Sequence, residues 1–152
     1  MSNDETTDGS VPPVAAASLS FGNAVGRISL CVRDGVAHFT ITGDPAGKDI
    51  HSCIRSALDS GIMWLPMPVL VDMTRFSGSI DWSSIHAVAE MTVPYMRADP
   101  PSRVAYLTPD CWFAALIKLV GYIFTKSQHR LFASQEKAQE WLQLNAASPE
   151  AS

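Results

Sequence analysis

The sequence predicts an α/β fold in which a mixed β-sheet opens with a β-hairpin and continues with alternating βα units, with helices packed on the sheet. Two alternating runs, "RISLCVR" and "VAHFTITG", are joined by Asp34-Gly35, and both positions of such a turn tolerate the positive φ of a tight hairpin. The stretch "MPVLVDM" is almost continuously apolar, as is typical of a strand covered on both faces. Further strands alternate with helical patterns, which gives the order ββαβαβαβα.

The first two helices are indicated by residues that commonly begin or end helices. One helix is predicted over "GKDIHSCIRSALDS", with Gly61 as its stop. Its apolar face carries Ile50, Ile54, Ala57 and Leu58. The second helix is expected to begin near Asp81, a good N-cap residue, and to be ended or kinked by Pro94.

The C-terminal half is expected to add two strands and two helices. The strands are predicted at "SRVAYL" and "HRLFA". Thr108 is expected to cap the helix between them, because Pro109 follows at the first helical position, where proline is tolerated. Ser134 is expected to cap the last helix.

The folded domain is expected to span residues 21–145, with disordered tails at 1–20 and 146–152. Both tails are rich in small and polar residues and lack a hydrophobic period, which is typical of loose termini. The N-terminus is acidic, unlike a secretory signal, and the longest apolar run is shorter than the ~20 residues of a transmembrane helix. We therefore expect a cytoplasmic protein without a transmembrane segment.

The charge distribution argues against nucleic-acid binding. The chain carries 11 Lys and Arg and 15 Asp and Glu, for a net charge of −4. Four of the acids lie near the ends, at Asp4, Glu5, Asp8 and Glu150. The remaining acids balance the basic residues, which are scattered along the domain. Nucleic-acid binding depends on clustered basic side chains that neutralise phosphates, so this partner class is not expected.

No catalytic, cofactor or metal site is predicted from the residues. The cysteines Cys31, Cys53 and Cys111 are widely spaced and are expected to be reduced and buried. His51 and Cys53 stand two apart on a helix and so point in different directions. The loop "GDPAGKD" lacks the spacing and the hydroxyl residue of a phosphate-binding loop. An enzyme is therefore not expected.

Three segments carry a family resemblance: "VLVDMTRFSGSIDW", "SRVAYLTPDCWFAAL" and "HRLFASQEKAQEWL". Their landmarks are Asp72, Phe76, Gly78, Arg103, Val104, Ala105, Phe132, Ala138, Trp141 and Leu142. With these residues the chain resembles the SpoIIAA-like group of the STAS superfamily, small bacterial proteins of largely unassigned function. The resemblance implies a STAS-type mixed-sheet fold, but one fold can host unrelated activities.

Relatives in this superfamily suggest a regulatory switch at the second helix. Anti-sigma-factor antagonists carry a phosphorylatable Ser there, in an Asp-Ser-Ser-Gly setting. Here the place is held by "DWSSI", in which Trp82 intervenes and the Gly is missing. Ser83 and Ser84 are candidate phosphorylation sites, because a phosphate is electrostatically favoured at a helix N-terminus. The alternative is that both hydroxyls only satisfy amides of the first turn.

The stretch "CWFAALIKLVGYIF" contains Lys118 as its only charged residue. On a helical wheel its apolar arc is wider than the stripe of about 100° that a helix buries against one side of a sheet. Phe113, Ile117 and Phe124 lie at one margin of this arc. We expect these residues to contact the neighbouring helix, a bound apolar molecule or another subunit.

Three further residues are candidate ligand or interface positions. Asp72 ends a parallel-type strand, where ligands gather in open α/β sheets; the alternative is that its carboxylate accepts N–H groups of the following loop. Trp64 lies in the unusually apolar loop "IMWLPMP", which either packs beneath the sheet or forms a contact surface. Trp82 begins the second helix beside the candidate phosphorylation sites.

Two functions are compatible with these observations. The first is a non-catalytic regulatory module that binds another protein, as the STAS resemblance implies. The alternative is a carrier of a small hydrophobic ligand or lipid, as in the CRAL-TRIO domains, which are similar in fold. A homodimer is also expected, because the domain has no net charge and an excess of apolar surface. Its contact is predicted around Phe113, Ile117 and Phe124, with the loop around Trp64 as the second choice.

Overall fold

The fold is built on one mixed β-sheet, as the sequence predicts. The computed structural model describes residues 18–79, 82–95, 101–108, 117, 118, 120, 121, 123, 124 and 127–146. Six strands lie in chain order across the sheet: β1 Ser18–Gly22, β2 Gly26–Arg33, β3 Val36–Gly43, β4 Val69–Phe76, β5 Ser102–Leu107 and β6 Ser127–Phe132. Three helices have both ends described: α1 Gly47–Ser60, α2 Trp82–Thr92 and α3 Gln135–Ala146.

The opening of the sheet is antiparallel and the remainder is parallel. β1 pairs with β2 and β2 with β3 in antiparallel register, whereas β3 to β6 pair in parallel. Asp34 and Gly35 join β2 to β3 with φ values of 53° and 75°, which a two-residue hairpin turn requires. The predicted hairpin is confirmed. β4 has a parallel neighbour on each side, and the burial of both its faces explains its apolar sequence.

β1 is a strand that the sequence analysis does not predict, and residues 18–20 of it fall within the expected tail. Leu19 and Phe21 pack against the core, whereas Ser18 and Ser20 are exposed. This alternation covers five residues beside a low-complexity segment, so it is too short to be recognised without its partner strand. The tail residues 1–17 and 147–152 lie outside the described part of the chain.

Helices cover both faces of the sheet. α1 contacts β1, β2 and α2 on one face, and the core there includes Ile28, Phe39 and Val71. α3 packs on β4, β5 and β6 on the other face, where Leu70 and Leu142 are buried. The two faces therefore have separate hydrophobic cores, which follows from the alternation of side chains along each strand.

The predicted helix boundaries are confirmed at three positions. α1 is followed by Gly61, whose φ of 81° is left-handed and whose N–H bonds to the carbonyl of Leu58. α2 ends before a short 3-10 turn at Val93–Tyr95, because Pro94 cannot continue the α-helical hydrogen bonds. At the start of α3, the Ser134 carbonyl accepts the Ala138 N–H at 3.1 Å.

The segment between β5 and β6 is described at Ile117, Lys118, Val120, Gly121, Ile123 and Phe124, and is named here the 117–124 segment. Its described residues up to Ile123 are helical. Ile117 and Val120 are buried, with 7% and 6% of their surface exposed, whereas Lys118 is exposed. Phe113, Cys111 and Asp81 lie outside the described residues. No helix within the described ranges is long and apolar enough to span a membrane.

Candidate functional site

The helices on the α1 face leave a cleft above the middle of the sheet. The cleft has a volume of about 580 Å³ and lies between β3, β4, α1, α2 and the 117–124 segment. A smaller hollow of about 150 Å³ adjoins it over β5 and β6. The two spaces share Ile41, Ile50, Ile54, Val71, Val88, Tyr106 and Phe124 as lining residues. They are named here the apolar cleft and the inner hollow.

The walls of the apolar cleft are aliphatic side chains supplied by four secondary-structure elements and the 117–124 segment. β3 and β4 form its floor through Ile41 and Val71, which project to the same face of the sheet. Ile54 of α1 and Val88 of α2 form opposite walls, and Ile117 closes the remaining side. Ligand-binding pockets in proteins commonly have volumes of about 300–1,000 Å³ and apolar linings. The cleft therefore has the size and the surface of a small-molecule site.

The mouth of the cleft is polar. Asn23, Asp44, Ser79 and Ser84 contribute to its lining. Gly47, the first residue of α1, lies so close to Ser84 that a Cβ at this position would collide with the Ser84 hydroxyl. The first turns of α1 and α2 thus approach each other closely at the mouth because residue 47 has no side chain.

The inner hollow contains a chain of hydrogen-bonding side chains on β5 and β6. The Oγ of Ser127 lies 2.7 Å from Nε2 of His129, and the hydroxyl of Tyr106 lies 2.9 Å from Nδ1 of the same imidazole. The Tyr106 and His129 rings stack with centroids 5.7 Å apart, and Phe124 lies against His129 at 5.3 Å. These three residues, Tyr106, His129 and Ser127, are named here the polar chain.

Burial keeps the polar chain uncharged. It lowers the pKa of His129 to about 4, because the imidazolium form would lose its hydration inside the protein. Burial also raises the pKa of Tyr106 above the usual range of a tyrosine. The rings of Tyr106 and His129 both line the inner hollow. Part of each ring therefore stays accessible to a small molecule, although most of it is surrounded by protein. At neutral pH the polar chain therefore consists of the hydroxyl groups of Tyr106 and Ser127 and the neutral imidazole of His129.

Charged side chains are scarce around these spaces. Among the described lining residues of the cleft and the hollow there is no Lys or Arg, and Asp44 at the mouth is the one acid. No group of three His, Cys, Asp or Glu side chains that could hold a metal ion occurs in the described ranges. The arrangement can surround an apolar molecule and offer it neutral hydrogen-bonding groups at one end.

Two of the residues predicted to contact a ligand or an interface lie in the cleft. Ile117 and Phe124 both line it, and their contact with a bound apolar molecule stays a prediction. Ile117 is buried, so the surface that it offers faces the interior of the domain. The expected contact of these residues with a second copy of the chain stays a prediction.

The predicted residues of α2 divide between the mouth of the cleft and solvent. Ser84 lines the mouth, whereas Ser83 is exposed. Trp82 keeps 39% of its surface exposed at the start of the helix. Both serines also have interactions within the protein. Their phosphorylation stays a prediction.

Asp72 and Trp64 lie away from the cleft. The carboxylate of Asp72 accepts the backbone N–H of Thr74 at 3.0 Å and its hydroxyl at 2.7 Å. Thr74 lies within β4 and not in the following loop that the alternative for this residue names. Asp72 stands between Val71 and Met73, which line the cleft, so it belongs to the opposite face of β4. In the "IMWLPMP" loop, Met63 and Met67 are buried in the core, whereas Trp64 is 57% exposed.

The sequence analysis does not identify the polar chain. One signal for it exists in the pattern of β6, where Ser127 and His129 occupy alternate positions and so share a face with apolar neighbours. The sequence predicts β6 only from His129 onward, so Ser127 lies outside the predicted strand. The meeting of His129 with Tyr106 depends on the lateral register of β5 and β6, which no local pattern encodes.

A mixed sheet with helices on both faces defines an α/β domain. The chain belongs to the SpoIIAA-like family, whose model matches residues 36–143. A similar solved structure is the crystal structure of an uncharacterised DUF3478-family protein with a SpoIIAA-like fold from Shewanella loihica PV-4. The two chains are 16% identical with a TM-score of 0.55, over 88% of this chain and 99% of the other. This similarity supports the fold alone. No curated protein matches the chain.

Proposed function

We propose that this SpoIIAA-like domain is a non-catalytic carrier of a small hydrophobic ligand, which it holds in the apolar cleft. The observation that carries the proposal is the combination of a volume of about 580 Å³ with walls of Ile, Val, Met and Phe side chains. A volume between about 300 and 1,000 Å³ with an apolar lining is typical of small-molecule sites.

Binding in the cleft is favoured by the hydrophobic effect. Each 100 Å² of apolar ligand surface that leaves water contributes roughly 2.5 kcal/mol, before the entropic cost of association is subtracted. The ligand would also cover wall residues such as Ile54 and Val88, which are only partly buried in the unliganded protein.

The proposal is tested by titrating the full chain with N-phenyl-naphthylamine, an uncharged dye that fluoresces in apolar surroundings. We expect saturable binding with one site per chain. Val88→Trp, which fills the cleft, should weaken binding at least about tenfold. Val93→Trp is the matched control, because Val93 is 52% exposed and lies outside the lining. Equal binding by both variants, or no saturable binding by the wild type, would overturn the carrier function.

A second candidate is the regulatory module that binds another protein. A specific feature supports it: Trp82 and Tyr95, near the two ends of α2 and its 3-10 turn, are large apolar side chains that remain 39% and 41% exposed. Aromatic side chains of this kind are enriched at the centres of protein interfaces. Quantitative cross-linking in host extract tests it, with a partner expected on the wild type and lost from Trp82→Ser. Identical cross-links from both proteins would remove this surface from consideration.

A further inference from the structure

We propose that the ligand is an uncharged amphiphile whose hydroxyl or carbonyl oxygen hydrogen-bonds to the polar chain, while its hydrocarbon part occupies the apolar cleft. This inference rests on the carrier function and adds the chemical class of the ligand. It depends on the hydrogen-bonding geometry of Tyr106, His129 and Ser127 and on the scarcity of charge in the lining.

The polar chain can present either a donor or an acceptor to a ligand. A neutral imidazole carries one N–H, so the two hydrogen bonds of His129 must run in one direction through the ring. In one arrangement Tyr106 donates to Nδ1, Nε2–H donates to Ser127, and Ser127 donates to the Phe124 carbonyl, which lies 3.3 Å from its Oγ. Every N–H and O–H of these three side chains then has an acceptor. The Tyr106 oxygen can still accept a hydrogen bond from a ligand.

The opposite arrangement leaves a donor at Tyr106. Ser127 then donates to Nε2 and Nδ1–H donates to the Tyr106 oxygen, over the same 2.7 Å and 2.9 Å distances. The phenolic hydrogen of Tyr106 then has no acceptor within the polar chain and can be donated to a ligand. A ligand hydroxyl is satisfied by either arrangement, and a ligand carbonyl by the second. Because Tyr106 lines both the cleft and the hollow, it stands where a ligand in the cleft reaches this end.

The charges of the site select against ionic ligands. A carboxylate buried near Tyr106 would find no Lys or Arg among the described lining residues and would face a neutral His129. A buried ion without a counter-charge is strongly disfavoured. Asp44 at the mouth adds repulsion for an anion on its way in. An alcohol or a ketone avoids both costs and keeps its hydrogen bond.

The inference is tested at neutral pH by displacing N-phenyl-naphthylamine from the full chain with decanol, methyl octyl ketone, decanoate and decylammonium. We expect the alcohol and the ketone to compete at least about tenfold more strongly than either ion. Tyr106→Phe should weaken the binding of decanol about threefold to tenfold relative to that of the dye in the same variant, the usual contribution of one neutral hydrogen bond. Tyr95→Phe, which removes a hydroxyl bonded to Asp59 outside the cleft, is the control and should change nothing.

Each failure has a separate meaning. A wild-type protein that does not bind the dye overturns the carrier function itself. Normal dye binding with equal competition by decanol and decanoate overturns only the ligand class proposed here. The comparison of the four competitors uses the wild-type chain, so it remains decisive if Tyr106→Phe fails to fold, and Ser127→Ala then tests the polar chain from its other end. A decanol affinity unchanged relative to the dye in a folded Tyr106→Phe protein would exclude the hydrogen bond to Tyr106.

Discussion

Nε2 of His129 lies 2.7 Å from Oγ of Ser127 on the sheet face that α1 covers, where most neighbouring side chains are apolar. An imidazole in such a place must stay neutral to avoid an uncompensated buried charge. The pair is therefore part of the candidate site, and protonation of its imidazole would lower the stability of the fold.

We predict that acid destabilises the protein through His129. The pKa of His129 is lowered to about 4 in the folded state, against about 6.5 in an unfolded chain. The unfolded state thus binds a proton first, and stability falls as the pH drops from about 6.5 towards 4. The full loss is about 3 kcal/mol. Urea unfolding at several pH values measures it.

Two variants identify the histidine responsible for this loss. His129→Gln should remove most of the pH dependence, because glutamine does not titrate. Burial also lowers the pKa of His38, which accounts for the remainder. His86→Gln, which removes a histidine on the exposed side of α2, should keep the wild-type dependence. The assignment to His129 is wrong if both variants lose stability with acid as steeply as the wild type.

The position of Ile117 predicts a large loss of stability on introducing charge. Ile117 is buried against the cleft, and its neighbour Lys118 is exposed. Ile117→Glu should lower the free energy of unfolding by about 3 kcal/mol or more, because the carboxylate is buried without a partner. Lys118→Glu should change it by less than about 0.5 kcal/mol. Chemical denaturation of both variants decides the matter, and a stable Ile117→Glu protein would show that this side chain reaches solvent.

The fold is largely predictable from local patterns, and the site is not. Asp34-Gly35 predicts its hairpin because the turn geometry is local, and "SRVAYL" matches β5 residue for residue. The cleft depends on how far α1, α2 and the 117–124 segment stand from the sheet, which is a property of tertiary packing. The wide apolar arc of "CWFAALIKLVGYIF" indicates a surplus of apolar surface, but its sequence leaves open which partner covers that surface.

Phosphorylation, if it regulates this protein, is predicted on Ser83 in preference to Ser84. Ser83 is exposed in the first turn of α2, whereas Ser84 is partly buried at the mouth of the cleft. A phosphate on either residue would add negative charge at a helix N-terminus, where the helix dipole favours it. Phosphosite mapping in the native host should find the modification on Ser83. Both serines unmodified, with other sites detected in the same sample, would count against the switch.

Of the two dimer contacts expected from the sequence, we predict the exposed loop around Trp64, because Ile117 of the other contact is buried in the domain. The Trp64 side chain is 57% exposed, while Met63 and Met67 beside it are buried in the core. The loop is therefore anchored by two buried side chains and exposes an aromatic one. Sedimentation equilibrium at tens of micromolar should give a dimer for the wild type and a monomer for Trp64→Glu. Val93→Glu, at an exposed position elsewhere, should remain dimeric. A monomeric wild type ends this proposal.

Native mass spectrometry of the freshly purified full chain tests the central claim most directly, because it detects a ligand that the protein has kept. The carrier function predicts an added mass of one small molecule per chain that is removed by organic extraction. The extract should contain an uncharged, hydroxyl- or carbonyl-bearing lipid, and the added mass should be absent from Val88→Trp and present in Val93→Trp. The bare chain mass for the wild type, together with no saturable binding of N-phenyl-naphthylamine, would contradict it.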